Sequence, residues 1–199
     1  MKFKTILLLI LFIFLFNKTL YSNDFTIKDL INLNTPWGLS FIDENKIIIT
    51  EKNGSFKIYN INENKIYPIK HNLKISNIGQ GGLLDVLYKN EIVYVSYSEK
   101  LKNNKSSTSI AIATYNNNFL EFKNIFRAEP AIQSGFHFGS RIVLKDDFLY
   151  ASIGERGKGD IAQDPSKHPG SIIRIHKDGT IPKDNPKFLE KKKWAKEIY

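Results

Sequence analysis

His137 and Glu155 are the two residues whose types and placement suggest a reaction. His137 stands in Gly135-Phe136-His137-Phe138-Gly139 and Glu155 in Gly154-Glu155-Arg156-Gly157. Between them lie a strand-like run (140–144), a Lys145-Asp146-Asp147 turn and a second run (148–153), so a hairpin would bring both to its open end. An imidazole can accept a proton near neutral pH, and a neighbouring carboxylate can orient the ring and stabilise its protonated form. The glycine flanks would leave room for a substrate. From position alone, His137 is equally a loop histidine capping a strand and Glu155 a solvated turn acid.

Other polar groups could join them. Gln80, in Gly79-Gln80-Gly81-Gly82, offers an amide where backbone can approach a flat ligand, or is a turn residue. Arg141 lies two residues beyond Gly139 and could reach a ligand anion or form a buried ion pair. Asp160, Gln163 and Asp164 lie in an insertion (158–170) that could cover a site or hold a cation, although loop acids are usually solvated. His71, His168 and His176 show no ligand spacing, and the chain carries no zinc motif, P-loop or Gly-x-Ser-x-Gly elbow.

The elements that must position these groups are short strands in a repeating order. Residues 39–42 (opened by 35–38), 46–51, 55–60 and 65–70 read as a first antiparallel group, with Asn53-Gly54 as a hairpin turn. A second group spans 81–87, 92–99, 107–115 and 119–127, and a third begins with 140–144, 148–153 and 171–176. Residues 25–33 could add an edge strand. Repeats of about 40–50 residues, each a four-stranded meander, are the mark of β-propeller blades. The alternative is a β-sandwich of unrelated hairpins. The fold class is therefore all-β, a propeller with about three blades present. Because propellers close with about four to eight blades, the chain is expected to be the N-terminal half of a longer protein or to self-associate to close the ring. The segment around Trp194 and Ile198 reads as the lead into a fourth unit.

Composition bounds the rest. The chain has 199 residues, 42% hydrophobic and 25% charged, as a folded domain should. Lys2 and Lys4 precede an apolar run (6–16) and a polar stretch ending at Ser22, the pattern of a secretory signal peptide over 1–22. The expectation is a periplasmic or secreted domain over 23–199, with no stable membrane insertion once the signal is removed. Without Lys2, Lys4 and Lys18 the formal charge falls from +9 to +6, and the only arginines are Arg127, Arg141, Arg156 and Arg174. Scattered lysines with few arginines argue against nucleic-acid binding. The absence of cysteine removes disulfides, thiolate metal sites and cysteine nucleophiles.

Six motifs taken in order carry a resemblance. They are Pro36-Trp37-Gly38-Leu39-Ser40-Phe41, Gly79-Gln80-Gly81-Gly82-Leu83-Leu84-Asp85-Val86, His137-Phe138-Gly139-Ser140-Arg141-Ile142, Gly154-Glu155-Arg156-Gly157, Ala162-Gln163-Asp164 and Asp178-Gly179-Thr180-Ile181-Pro182-Lys183-Asp184-Asn185-Pro186. Together they resemble the soluble glucose/sorbosone dehydrogenases, exported six-bladed propellers that oxidise aldose sugars with pyrroloquinoline quinone (PQQ) and calcium. The resemblance implies that His137 is the general base that takes the anomeric hydroxyl proton while hydride passes to the quinone, yielding a lactone. It implies that Glu155 supports that histidine and that Gln80 lies at the substrate and cofactor pocket. Arg141 falls within a matching block and is taken as a further binding residue. Ser140 and Ser171 stand where glycine and lysine are common in relatives. The family's Arg-Asn segment, its basic cofactor residues and its calcium ligands would lie beyond Tyr199, so a truncated and inactive fragment is one expectation. An aldose and an external electron acceptor are the implied partners. Two other readings remain: a noncatalytic propeller module that binds a glycan or protein, and a calcium-dependent lactonase.

Overall fold

The computed structural model describes residues 25–187 and 195–199, so the signal segment expected over 1–22 and Trp194 lie outside the described residues. Residues 25–30 contain no strand, and the edge strand expected over 25–33 is not formed. Residues 31–199 form one compact unit.

Three sheets follow one another along the chain. The first runs β1 (Pro36–Phe41), β2 (Lys46–Glu51), β3 (Ser55–Asn60) and β4 (Lys65–His71), each antiparallel to the one before. The second uses β5 (Leu83–Lys89), β6 (Ile92–Lys100), β7 (Ser106–Thr114) and β9 (Lys123–Arg127), while the short β8 (Phe119–Leu120) crosses back to pair in parallel with β4. The outer strand expected over 119–127 is thus split: its first two residues extend the preceding sheet, burying Leu120 in that core. The third sheet is β10 (Gly139–Lys145), β11 (Phe148–Ile153) and β12 (Ile172–His176).

The chain end joins this third sheet. Ile198 bridges Ile173, Arg174 N–H donates to Glu197 O (2.8 Å) and Tyr199 N–H to Ile172 O (2.9 Å). Residues 195–199 therefore lie along the outer edge of the third blade, where a lead into a fourth had been expected. Burying Ile198 offers more than a solvated start to a new sheet would.

Each sheet is a propeller blade, and its face packs on the next. Ile48, Phe56, Ile58 and Ile69 of the first blade meet Leu83, Val86, Val93 and Val95 of the second. Tyr94, Ile110 and Phe126 from the other side of the second meet Ile142, Leu149, Ala151, Ile173 and Ile175 of the third. Covering on both faces explains why β2 is a continuous isoleucine run and β6 alternates two buried sets. β11 is buried on alternate residues only, because its other face carries no further blade among the described residues.

A hydroxyl repeats at one position of every blade. The inner strands β1, β5 and β10 each carry an irregularity, and Thr50, Ser96 and Ser152 on the second strands accept the stranded N–H groups of Gly38, Asp85 and Arg141 (3.0, 3.0 and 3.2 Å). Thr50 also donates to Leu84 O (2.6 Å) and Ser96 to Ser140 O (2.7 Å), latching each blade to the next. Glu99 and Glu155 both follow three residues after such a serine.

Candidate functional site

Two loops and one strand end converge where the second blade meets the third. The segment from Ser134 to Phe138 enters β10, and the end of β11 runs directly beneath it: Gly154 N–H donates to Phe138 O (3.1 Å) and Arg156 N–H to His137 O (3.2 Å). This approach requires bare backbone. A Cβ on Gly154 would stand 2.0 Å from His137 O, and one on Gly79 2.4 Å from Gly135 O. The glycines expected to leave room for a substrate instead let three chain segments pack against each other.

That packing places the His137 ring. Its backbone is left-handed (φ +46°), as are those of Ser140 (φ +102°), Asp146 in the hairpin turn (φ +52°) and Arg156 (φ +62°), so four non-glycine residues hold sparsely populated conformations within twenty positions. Imidazole Nδ1 contacts a Glu155 carboxylate oxygen. The His137 side chain is 53% exposed and that of Glu155 29%. The hydrogen bond from His137 holds the Glu155 carboxyl below the usual range, assisted by backbone N–H groups including that of Gly157 (3.2 Å). Because the ionised carboxylate only accepts, Nδ1 carries the proton. Nε2 makes no hydrogen bond among the described residues, so its lone pair is free to accept a proton.

Gln80 serves the histidine from behind. Its side-chain Oε1 accepts the His137 backbone N–H (2.8 Å) and its backbone N–H donates to Gly135 O (2.7 Å), so the residue braces the loop through both. Arg141 lies further along β10, its Nη1 on Asp85 Oδ1 (3.0 Å) with the side chain 74% exposed; the other Asp85 oxygen accepts Ile142 N–H (2.8 Å). It forms an ion pair whose carboxylate is buried but whose guanidinium is exposed, where a buried pair was one expectation.

The insertion after β11 holds a short 3₁₀ turn, Gly159–Gln163. Asp164 receives the Ser166 N–H and hydroxyl (3.0 and 2.6 Å) and pairs with Lys167 (2.8 Å), contacts that hold its carboxyl far below the usual range. It closes its own turn. No group of three or more His, Asp or Glu suited to a metal gathers among the described residues. His71 bridges Gly54 O and Leu73 N–H, and His168 links Glu129 N–H to Glu197, both structural.

Sequence reasoning missed Arg156. Its guanidinium is buried, stacks on the Phe138 ring at 3.7 Å and bonds the residues around the histidine loop. A signal existed in the Glu-Arg pair, since an arginine adjoining a candidate acid is a natural brace.

Comparison with known proteins fits this geometry. The chain is 30% identical over 168 residues to the aldose sugar dehydrogenase YliI of Escherichia coli, a match covering 79% of this chain and 45% of that protein. It is 29% identical over 196 residues to quinoprotein glucose dehydrogenase B of Acinetobacter calcoaceticus, covering 80% and 40%. The crystal structure of the soluble aldose sugar dehydrogenase from Escherichia coli in its apo-form superposes with a TM-score of 0.78 at 29% identity, covering 84% of this chain and 51% of that one. The chain thus spans about half the length of these relatives or less. With the sequence profile of Glucose / Sorbosone dehydrogenase matching residues 33–199, the chain belongs to that family.

Proposed function

We propose that this chain contributes the proton-accepting half of a PQQ-dependent aldose dehydrogenase site, oxidising the anomeric carbon of a sugar to a lactone. The observation that carries the reading is the His137–Glu155 pair, with Nδ1 held by the carboxylate, the side chain half exposed and Nε2 without a partner among the described residues. A sugar hydroxyl placed against Nε2 would give up its proton there, and the ionised Glu155 would stabilise the imidazolium that forms. Gln80 keeps the ring in place by holding the backbone under it.

The residues present suit this role. The half-exposed His137 side chain would offer Nε2 to the substrate oxygen, and the Arg141 guanidinium is open enough to meet an anionic carboxylate such as the quinone carries. The quinone, when bound, would accept the hydride from the anomeric carbon, and an external acceptor would then remove the electrons. Calcium finds no suitable cluster among the described residues, and no step is assigned to it. Lys2, Lys4 and the apolar run over 6–16 support export, where an external acceptor would be met.

The test is reconstitution. Purified protein is mixed with PQQ, calcium and an aldose, and reduction of a redox dye is followed. Turnover abolished by His137→Ala supports the reading. Failure to bind the quinone at high micromolar concentration removes the enzyme assignment from this chain.

A further inference from the structure

Arg156 is a buried cation whose hydrogen-bond partners are all neutral. Nε donates to Phe136 O (3.0 Å), Nη1 to Ser106 O (3.0 Å), and Nη2 to Ser106 Oγ (2.9 Å) and Ser134 O (2.5 Å). The guanidinium plane lies on the Phe138 ring. No carboxylate pairs with this side chain among the described residues, and burial lowers its pKa to about 10. A fold that needed only filling would place an apolar side chain here at lower desolvation cost.

What the charge achieves is visible in its partners. Ser106 opens β7, Ser134 and Phe136 belong to the loop that carries His137, and Arg156 itself follows Glu155. One rigid fork therefore ties the histidine loop to the second blade and to the residue after the carboxylate. Lysine could not do this, since an ammonium is a point donor without the planar spread that reaches separate carbonyls. The loop needs such restraint because His137 and Arg156 both hold left-handed backbone.

We propose that Arg156 is the positioning residue for His137: its guanidinium holds the 134–138 loop so that Nδ1 faces Glu155. The proposal takes the His137–Glu155 pair as the reacting pair. Its test involves no turnover, so it fails or succeeds separately from the proposed enzyme activity.

The measurement is the Glu155 carboxyl titration, read by carbon-13 NMR in the full chain. Arg156→Lys keeps the charge and loses the fork; with the histidine contact loosened, the Glu155 midpoint is expected to rise by about half a pH unit or more. Arg127→Met, which perturbs the second blade away from the loop, should leave that midpoint in place and so controls for general destabilisation. Ser106→Ala removes the hydroxyl's bond from Arg156 Nη2 (2.9 Å) and its longer bond to Ser134 O (3.5 Å), and amide exchange at Phe136, His137 and Phe138 should quicken about threefold or more. An unchanged Glu155 midpoint in cooperatively melting Arg156→Lys overturns the proposal. Should that variant not fold, unchanged exchange in Ser106→Ala overturns it.

Discussion

The α-carbon of Gly154 faces the carbonyl of His137 so closely that an added Cβ would lie 2.0 Å from its oxygen and 2.5 Å from its carbon. The end of β11 is therefore part of the floor of the histidine loop. Gly154→Ala must push the loop away, breaking the bond from Gly154 N–H to Phe138 O and drawing His137 off Glu155. Forcing a methyl into such a contact costs about 1–3 kcal/mol, and each kcal/mol lowers the melting temperature of a chain this size by about 2–4 °C. Thermal melts check the loss, and a variant as stable as the parent would contradict the contact.

Ser140 offers a change in the opposite direction. It holds φ +102°, a conformation suited to glycine, and its carbonyl is the acceptor for Ser96 Oγ. Glycine there would relieve strain of about 1–3 kcal/mol and keep the carbonyl, while giving back about 0.5–1 kcal/mol in backbone entropy. Ser140→Gly should raise the melting temperature by about 2–4 °C. An equal or lower value would show that the serine side chain returns more than its backbone costs.

The blades were legible because hydrophobic alternation and turn residues such as Asn53-Gly54 are local signals. So was the pairing of His137 with Glu155, since a hairpin between them leaves both at one end. The crossing of Phe119–Leu120 to the preceding sheet was not, because two residues carry no period and their partner β4 is distant in sequence. The use of Gly79, Gly135 and Gly154 was also hidden, because sequence shows that a residue lacks a side chain without showing what occupies the space. Gln80 was placed at the site, but its bond to the His137 backbone depends on a contact between different blades.

Glu99 and Glu155, at matching positions of successive blades, should respond differently to acid. Burial alone would raise the Glu99 pKa, but hydrogen bonds from Arg127, Ser109 and Asn124 outweigh it and hold the carboxyl below its ordinary value. A depressed folded-state pKa gives stability that is present above the unfolded value and lost as pH falls through the folded one. Chemical denaturation of the parent should therefore show Glu99 stabilisation at neutral pH that fades under acid, below the ordinary carboxylate range. Arg127→Met leaves the carboxylate short of its charged partner and should cost about 1–3 kcal/mol at neutral pH. The deficit should shrink under acid, when Glu99 is protonated in both proteins. Glu155 is lowered in the same direction, chiefly by His137, yet solvent reaches it, so Glu155→Gln should alter stability far less. A deficit for Arg127→Met that is constant with pH would remove Glu99 as its source.

The repeated hydroxyl allows one prediction about how blades are joined. Ser96 is buried, accepts Asp85 N–H and donates to Ser140 O in the next blade, whereas Ser152 at the matching position accepts Arg141 N–H at 3.2 Å and has no cross-blade acceptor among the described residues. Ser96→Ala strands a buried donor and a buried acceptor together, which should cost about 1–3 kcal/mol. Ser152→Ala removes one longer bond at a partly exposed edge, and its backbone donor can turn to water, so about 1 kcal/mol or less is expected. Denaturant melts of the two variants decide it. Equal losses would mean that the hydroxyl only repairs the irregularity within its own blade. A larger loss at Ser96 assigns the difference to the latch onto Ser140, the residue that leads β10 away from His137.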